Sequence, residues 1–148
     1  MTGSARGAGP RDAGSAAIEF LTVGVLLLVP IAYLLLCLGR VQAATFAAGT
    51  AARQAALLVA SDPAALATRR ARAAVVLALG DQGFPAGAGD LRLHCSATPC
   101  RTPQAEVRAT VGVTVPLPLL SGLTERGTVL VRVTEVAVVD RFLAPGPA

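Results

Sequence analysis

The chain has 148 residues and a net charge of +4, with 53% apolar and only 15% charged side chains. Lys and Asn are absent, all 13 basic residues are Arg, and His94 is the single histidine. A lysine-bearing phosphate loop, a Schiff-base enzyme and a multi-histidine metal site are therefore excluded. The basic pI of about 9.8 does not argue for nucleic acid. The arginines are dispersed, the longest cluster is Arg69-Arg70-Ala71-Arg72, and no aromatic residue interleaves with it. No nucleic-acid partner is expected.

The first element in chain order is an apolar helix. From Phe20 to Gly39 the chain reads FLTVGVLLLVPIAYLLLCLG, 20 uncharged residues between Glu19 and Arg40. At ~1.5 Å per residue such a helix spans the ~30 Å hydrocarbon layer of a bilayer. A secretory signal has a shorter apolar region, typically ~7–15 residues. Pro30 lies mid-span, where a membrane helix tolerates it. Arg6 and Arg11 flank one end and Arg40 and Arg53 the other, so the positive-inside rule leaves the orientation open.

The junction before this span reads Arg11-Asp12-Ala13-Gly14-Ser15-Ala16-Ala17-Ile18-Glu19-Phe20. A lone carboxylate at the edge of an apolar run is costly, so something should offset it. One reading is an interfacial Glu19 near a helix N-terminus, where negative charge is favoured. The other comes from a likeness. The Gly14–Glu19–Phe20 spacing resembles the processing site of type IV pilins and pseudopilins. Together with the aliphatic run, Gly39-Arg40-Val41 and the Ala-rich stretch through Ala56, it resembles the TadE-like family. Those proteins are minor pseudopilins of tight-adherence (Flp-type) pilus systems, and the likeness covers about residues 11–60.

The resemblance implies a precursor cut by a prepilin peptidase between Gly14 and Ser15. Glu19 would then neutralise the new N-terminal ammonium and, with Phe20, set the register of helix docking. It further implies a cell-membrane location with an extracytoplasmic C-terminal part. Implied partners are the membrane, the peptidase, other pilin-like subunits and the inner pilus assembly platform. Pro30 would be residue sixteen of the mature chain, so its kink need not match that of filament-forming pilins.

The helix is expected to continue from about Ser15 to Ala60. Ala recurs at 43, 47, 51 and 55 and at 44, 48, 52 and 56. Residues four apart share a face, so the two rows form a smooth stripe. It suits close helix association, as in membranes, or it reflects the helix preference of Ala alone. Asp62 and Pro63 then predict the cap and first residue of a second helix, running to about Leu79 with Gly80 as its stop. Leu66, Ala73, Val76 and Leu77 are its expected packing side, and its arginines a solvated face.

Gly80 to Gly89 reads as a connector. Beyond it the period changes to two. Leu91 and Leu93 alternate with polar residues. Val107, Ala109, Val111, Val113 and Val115 face one way, and Arg108, Thr110 and Thr114 the other. Pro116-Leu117-Pro118 ends that strand, and a further one is expected from Thr128 to Val139. The predicted fold is α+β: a long membrane-spanning helix, a second helix and a small antiparallel sheet. Four segments follow: a leader over 1–14, the span and stalk over 15–60, the second helix and connector over 61–89, and a β-rich part over 90–148.

Cys95 and Cys100 flank Ser-Ala-Thr-Pro, a turn-like loop, and a disulfide between them is expected outside the cytoplasm. Leu93-His94-Cys95 with Cys100 supplies three potential zinc ligands in no standard spacing. His94 and Cys95, adjacent on a strand, point to opposite faces and do not make a nucleophile pair. No hydroxyl sits in a nucleophile elbow. No catalytic residue, metal or cofactor is expected, and the chain is read as a non-enzyme. A single-span anchored binding or sensor module of the cell envelope, unrelated to pili, is the alternative.

Overall fold

The computed structural model describes residues 12–61, 65–85, 87, 89–100, 102–118 and 127–142. Helix α1 runs Asp12–Ser61 and helix α2 Ala65–Gly80. Strands β1 (Gly89–Cys95), β2 (Glu106–Pro116) and β3 (Thr128–Val138) form one antiparallel sheet in the order β1-β2-β3. The class is α+β, with a long apolar N-terminal helix, a second helix and a three-stranded sheet. The chain divides into two compact units, up to Leu36 and from Cys37 on.

The first unit holds the N-terminal half of α1. Its helix is longer than the sequence pattern predicts at the start, because Asp12 and Ala13 already lie in it. The helix assignment also passes through Pro30 without a break. Its side chains are almost all exposed: Leu21, Leu26, Leu27 and Leu28 each keep more than half of their surface free. This is one helix long and apolar enough to cross a membrane, and its most apolar 18-residue window is 0% buried. The leader up to Arg11 lies outside the described residues.

The second unit is built on alternation. Val107, Val111, Val113 and Val115 are fully buried and Ala109 lies between them, so one face of β2 is entirely core. Burying each valine contributes about 1.5–3 kcal/mol. Leu91, Leu93 and Cys95 of β1 lie directly across from Val111, Ala109 and Val107. Val131, Val133 and Ala137 of β3 lie across from Val113, Val111 and Val107. The opposite face carries Asp90, Arg92, Arg108, Thr114 and Arg132, all exposed. A three-stranded sheet needs a cover on its apolar side. The second half of α1 and one side of α2 supply it, as members of the same buried cluster.

Both alanine rows of α1 are spent in this core. Ala44, Ala48, Ala52 and Ala56 are buried, as are Ala47, Ala51 and Ala55, and the half-buried Ala43 packs against them. A β-carbon at Gly49 would meet Val133 Cγ1 of β3 at 3.9 Å. Small side chains let the α1 backbone lie close to the sheet, so the stripe is consumed inside the fold.

The packing side of α2 differs from the expectation. Ala67, Ala71, Val75 and Leu79 are buried, whereas Ala73, Val76 and Leu77 are exposed. The reason is the four-residue spacing of 67, 71, 75 and 79, which lines one face. Val75 and Leu79 on that face close on Gly89 at the start of β1, which turns Val76 and Leu77 outward. The side chain of Leu66 and the expected cap at Asp62 and Pro63 lie outside the described residues. Gly80 is the last helical residue, one past the expected end at about Leu79. The chain then turns through Phe84 N–H donating to the Leu79 carbonyl at 3.0 Å, with Gly83 at φ +74°.

Candidate functional site

Gly14 and Ser15 fall in the first turn of α1, two and three residues after its start at Asp12. Glu19 is exposed, one helical turn after Ser15 and on the same face. A chain beginning at Ser15 would therefore carry its ammonium and the Glu19 carboxylate within one turn of each other. Phe20 is 79% exposed, and Ile18 and Leu21 beside it are also free. The Thr22 hydroxyl donates back to the Ile18 carbonyl at 2.7 Å, which satisfies its polar group within the helix. Glu19 thus stands as a lone acid on an apolar rod. The groove bounded by Leu21, Val25, Val29 and Pro30 lies on the same stretch and is lined almost wholly by carbon.

A second feature is the β1–β2 connection. Cys95 and Cys100 form a disulfide, with α-carbons 5.2 Å apart. The loop is further tied by Ser96 N–H donating to the Glu106 carbonyl and Glu106 N–H donating to Ser96 Oγ at 2.8 Å. Thr102 caps the turn by donating its hydroxyl to the Pro99 carbonyl at 2.8 Å. Val139 N–H donates to the Ala105 carbonyl and Gln104 N–H to the Val139 carbonyl, so the loop is sewn to the end of β3. The arrangement is a connection stapled by one disulfide and several backbone ties.

His94 is exposed on the outer sheet face, directly across from Arg108. Cys95 points to the inner side and is bonded to Cys100, so the three residues do not form a ligand set. Among the described residues no group of three His, Cys, Asp or Glu side chains is placed to hold a metal ion.

Two surface features had no counterpart in the sequence reading. On the outer sheet face, Gly112 floors a depression ringed by Asp90, Arg92, Thr110 and Arg132. Arg92 Nε donates to Asp90 at 3.0 Å, and the Thr110 and Thr134 hydroxyls are 2.9 Å apart. These residues come from three strands, so only their alternation was legible beforehand. In the second unit, Phe46, Thr50 and Gln54 of α1 face Leu77, Asp81 and Gln82 at the end of α2. Phe46 and Leu77 are 73% and 69% exposed. An exposed Phe amid buried alanines was the available signal.

No protein-family model matches the chain, and neither a curated protein nor a solved structure matches it. The functional reading therefore rests on the residues and their placement.

Proposed function

We propose that the chain is a TadE-like minor pseudopilin of a bacterial tight-adherence (Flp-type) pilus or related secretion system. It is a non-enzymatic, single-pass protein of the cell membrane with its β-rich part outside the cytoplasm. A prepilin peptidase cuts after Gly14. The new Ser15 ammonium is neutralised by a Glu19 carboxylate, its own or that of a neighbouring subunit. The exposed apolar helix docks with other pilin-like subunits and with the inner assembly platform.

The observation that carries this reading is the Gly14–Glu19–Phe20 spacing at the head of an apolar helical run whose side chains are almost all exposed. An unpaired carboxylate entering a bilayer costs more than a paired one. A register set by one ion pair in an apolar setting is also unique along the helix.

The test is mass spectrometry of the mature N-terminus from cells with and without a co-expressed prepilin peptidase. The expected product begins at Ser15, and Gly14→Ala abolishes it. Glu19→Ala should be cut yet fail to co-purify with partner subunits. A chain that still begins at Met1, or a Glu19→Ala variant that assembles normally, overturns the proposal. An uncut chain that remains in the membrane would instead mark an anchored envelope module unrelated to pili.

A further inference from the structure

The β2–β3 ladder shows which backbone groups of β3 are already spent. Just beyond the two ends of β3, Val139 N–H donates to the Ala105 carbonyl and Leu117 N–H to the Gly127 carbonyl. Both pairs continue the register in which Glu106 faces Val138 and Pro116 faces Thr128. Bonded pairs recur at every second residue of an antiparallel ladder. The odd-numbered residues of β3 therefore turn N–H and C=O toward β2. The even-numbered row, Thr128, Leu130, Arg132, Thr134, Val136 and Val138, turns both groups outward. Among the described residues no strand pairs with that edge, because β3 ends the sheet order β1-β2-β3.

Natural sheets guard open edges with short strands, charges or Pro. β1, at the other edge, has seven residues and exposes Asp90, Arg92 and His94. β3 has eleven residues in an unbroken register, with no Pro or Gly. Its charges are Arg132 on the outer row and Glu135 on the inner one, across from Ala109. The outward row also exposes Leu130, Val136 and Val138, at 54%, 47% and 62%. A long apolar edge without a bulge is a template for another strand.

We infer that β3 pairs antiparallel with β3 of a second copy of this chain, about a two-fold axis at Val133. Val133 is the midpoint of β3, so the whole strand overlaps. Leu130 of one copy then faces Val136 of the other, Thr128 faces Val138, and Arg132 faces Thr134. On the inner row Glu135 faces Val131. No like charges meet. The same charges exclude the nearby registers, since an axis at Arg132 or at Glu135 sets two identical charges opposite each other. An axis at Thr134 leaves Thr128 and Val129 unpaired. With the axis at Val133 every outward N–H and C=O of the strand gains a partner, and two sheets become one. The pairing lies wholly within the second unit and does not depend on the reading of residues 20–39.

The test uses the full chain in detergent, with Cys37→Ser removing its free thiol. A nitroxide is attached to one introduced cysteine, Thr128→Cys or Val138→Cys, and interchain distances are read by double electron–electron resonance. With the axis at Val133 each label sits ten positions from its copy along the strands, ~34 Å. Both variants should give that one distance. Distances that differ between the two ends, or no interchain distance at either, overturn the pairing. Thr134→Arg, across from Arg132 of the other copy, should lower the paired fraction several-fold, and Thr134→Glu should not. Both changes remove the hydroxyl that meets Thr110, so a purely structural effect would move them alike. Equal loss in the two, or no loss with Arg, overturns the register.

Discussion

Leu79 Cδ1 occupies the space that a β-carbon on Gly89 would need, and Val75 Cγ1 lies 3.7 Å from that position. Leu79 is 2% exposed and cannot swing into solvent. The first residue of β1 is therefore a glycine so that α2 can close on the sheet. Gly89→Ala should cost about 1–3 kcal/mol by overpacking, and Leu79→Ala about 2–5 kcal/mol by opening a cavity. The double variant should lose less than the sum, because each change relieves the other. Urea unfolding of the detergent-solubilised chain measures this. A Gly89→Ala variant as stable as the parent refutes the contact.

The alanine stripe makes a sharper claim. Ala52 is fully buried against the fold, whereas Gln54, two residues on, is exposed. Ala52→Leu should destabilise the second unit by about 1–3 kcal/mol, and Gln54→Leu should change it by no more than about 0.5 kcal/mol. Were the stripe an interface between chains, Ala52→Leu would alter oligomeric state and spare stability. Analytical ultracentrifugation in detergent alongside the unfolding curve separates the two.

The Cys95–Cys100 disulfide closes a ring of five residues' separation. In the chain-entropy view so short a ring contributes about 2 kcal/mol. The double replacement Cys95→Ser/Cys100→Ser should lower stability by that amount and remove any effect of a reducing agent on the unfolding midpoint. The loop has other ties, at Ser96, Thr102 and Val139, so it should keep its shape. An unchanged midpoint in reductant would contradict a stabilising role for this bond.

Membrane insertion has its own test. Leu27 is 64% exposed in the middle of the apolar run. Leu27→Arg places a charge at the centre of the span, at a cost of about 2.5–3.5 kcal/mol on insertion scales. That is a shift of roughly a hundredfold or more in the insertion equilibrium. The carbonate-resistant membrane fraction should fall accordingly, while Thr22→Arg, near the end of the run, should be milder. Equal retention of both variants would remove the span from the account.

Much of this fold was legible because its signals are local. The uncharged run from Phe20 to Gly39, the period of two from Val107 to Val115 and the stop at Gly80 depend on composition and spacing within one element. The candidate processing residues were legible for the same reason: Gly14, Ser15 and Glu19 are neighbours in one helix. The packing side of α2 was not. Apolar residues surround its C-terminal half, so periodicity alone does not choose between 73/76/77 and 71/75/79. The sheet makes the choice, since Val75 and Leu79 close on Gly89 at the start of β1 and leave Val76 and Leu77 outside.

The sequence by itself thus determined the kind and order of the elements, because burial period and turn chemistry act over a few residues. Only the tertiary structure decided what the alanines are for. A stripe that suits helix association in a membrane suits a sheet equally well, and the difference lies in what stands opposite, here Val133 across from Gly49. It also decided that Phe46 and Leu77, 31 positions apart in the chain, share one surface. That pairing depends on two helices folding back on each other, which no local pattern records.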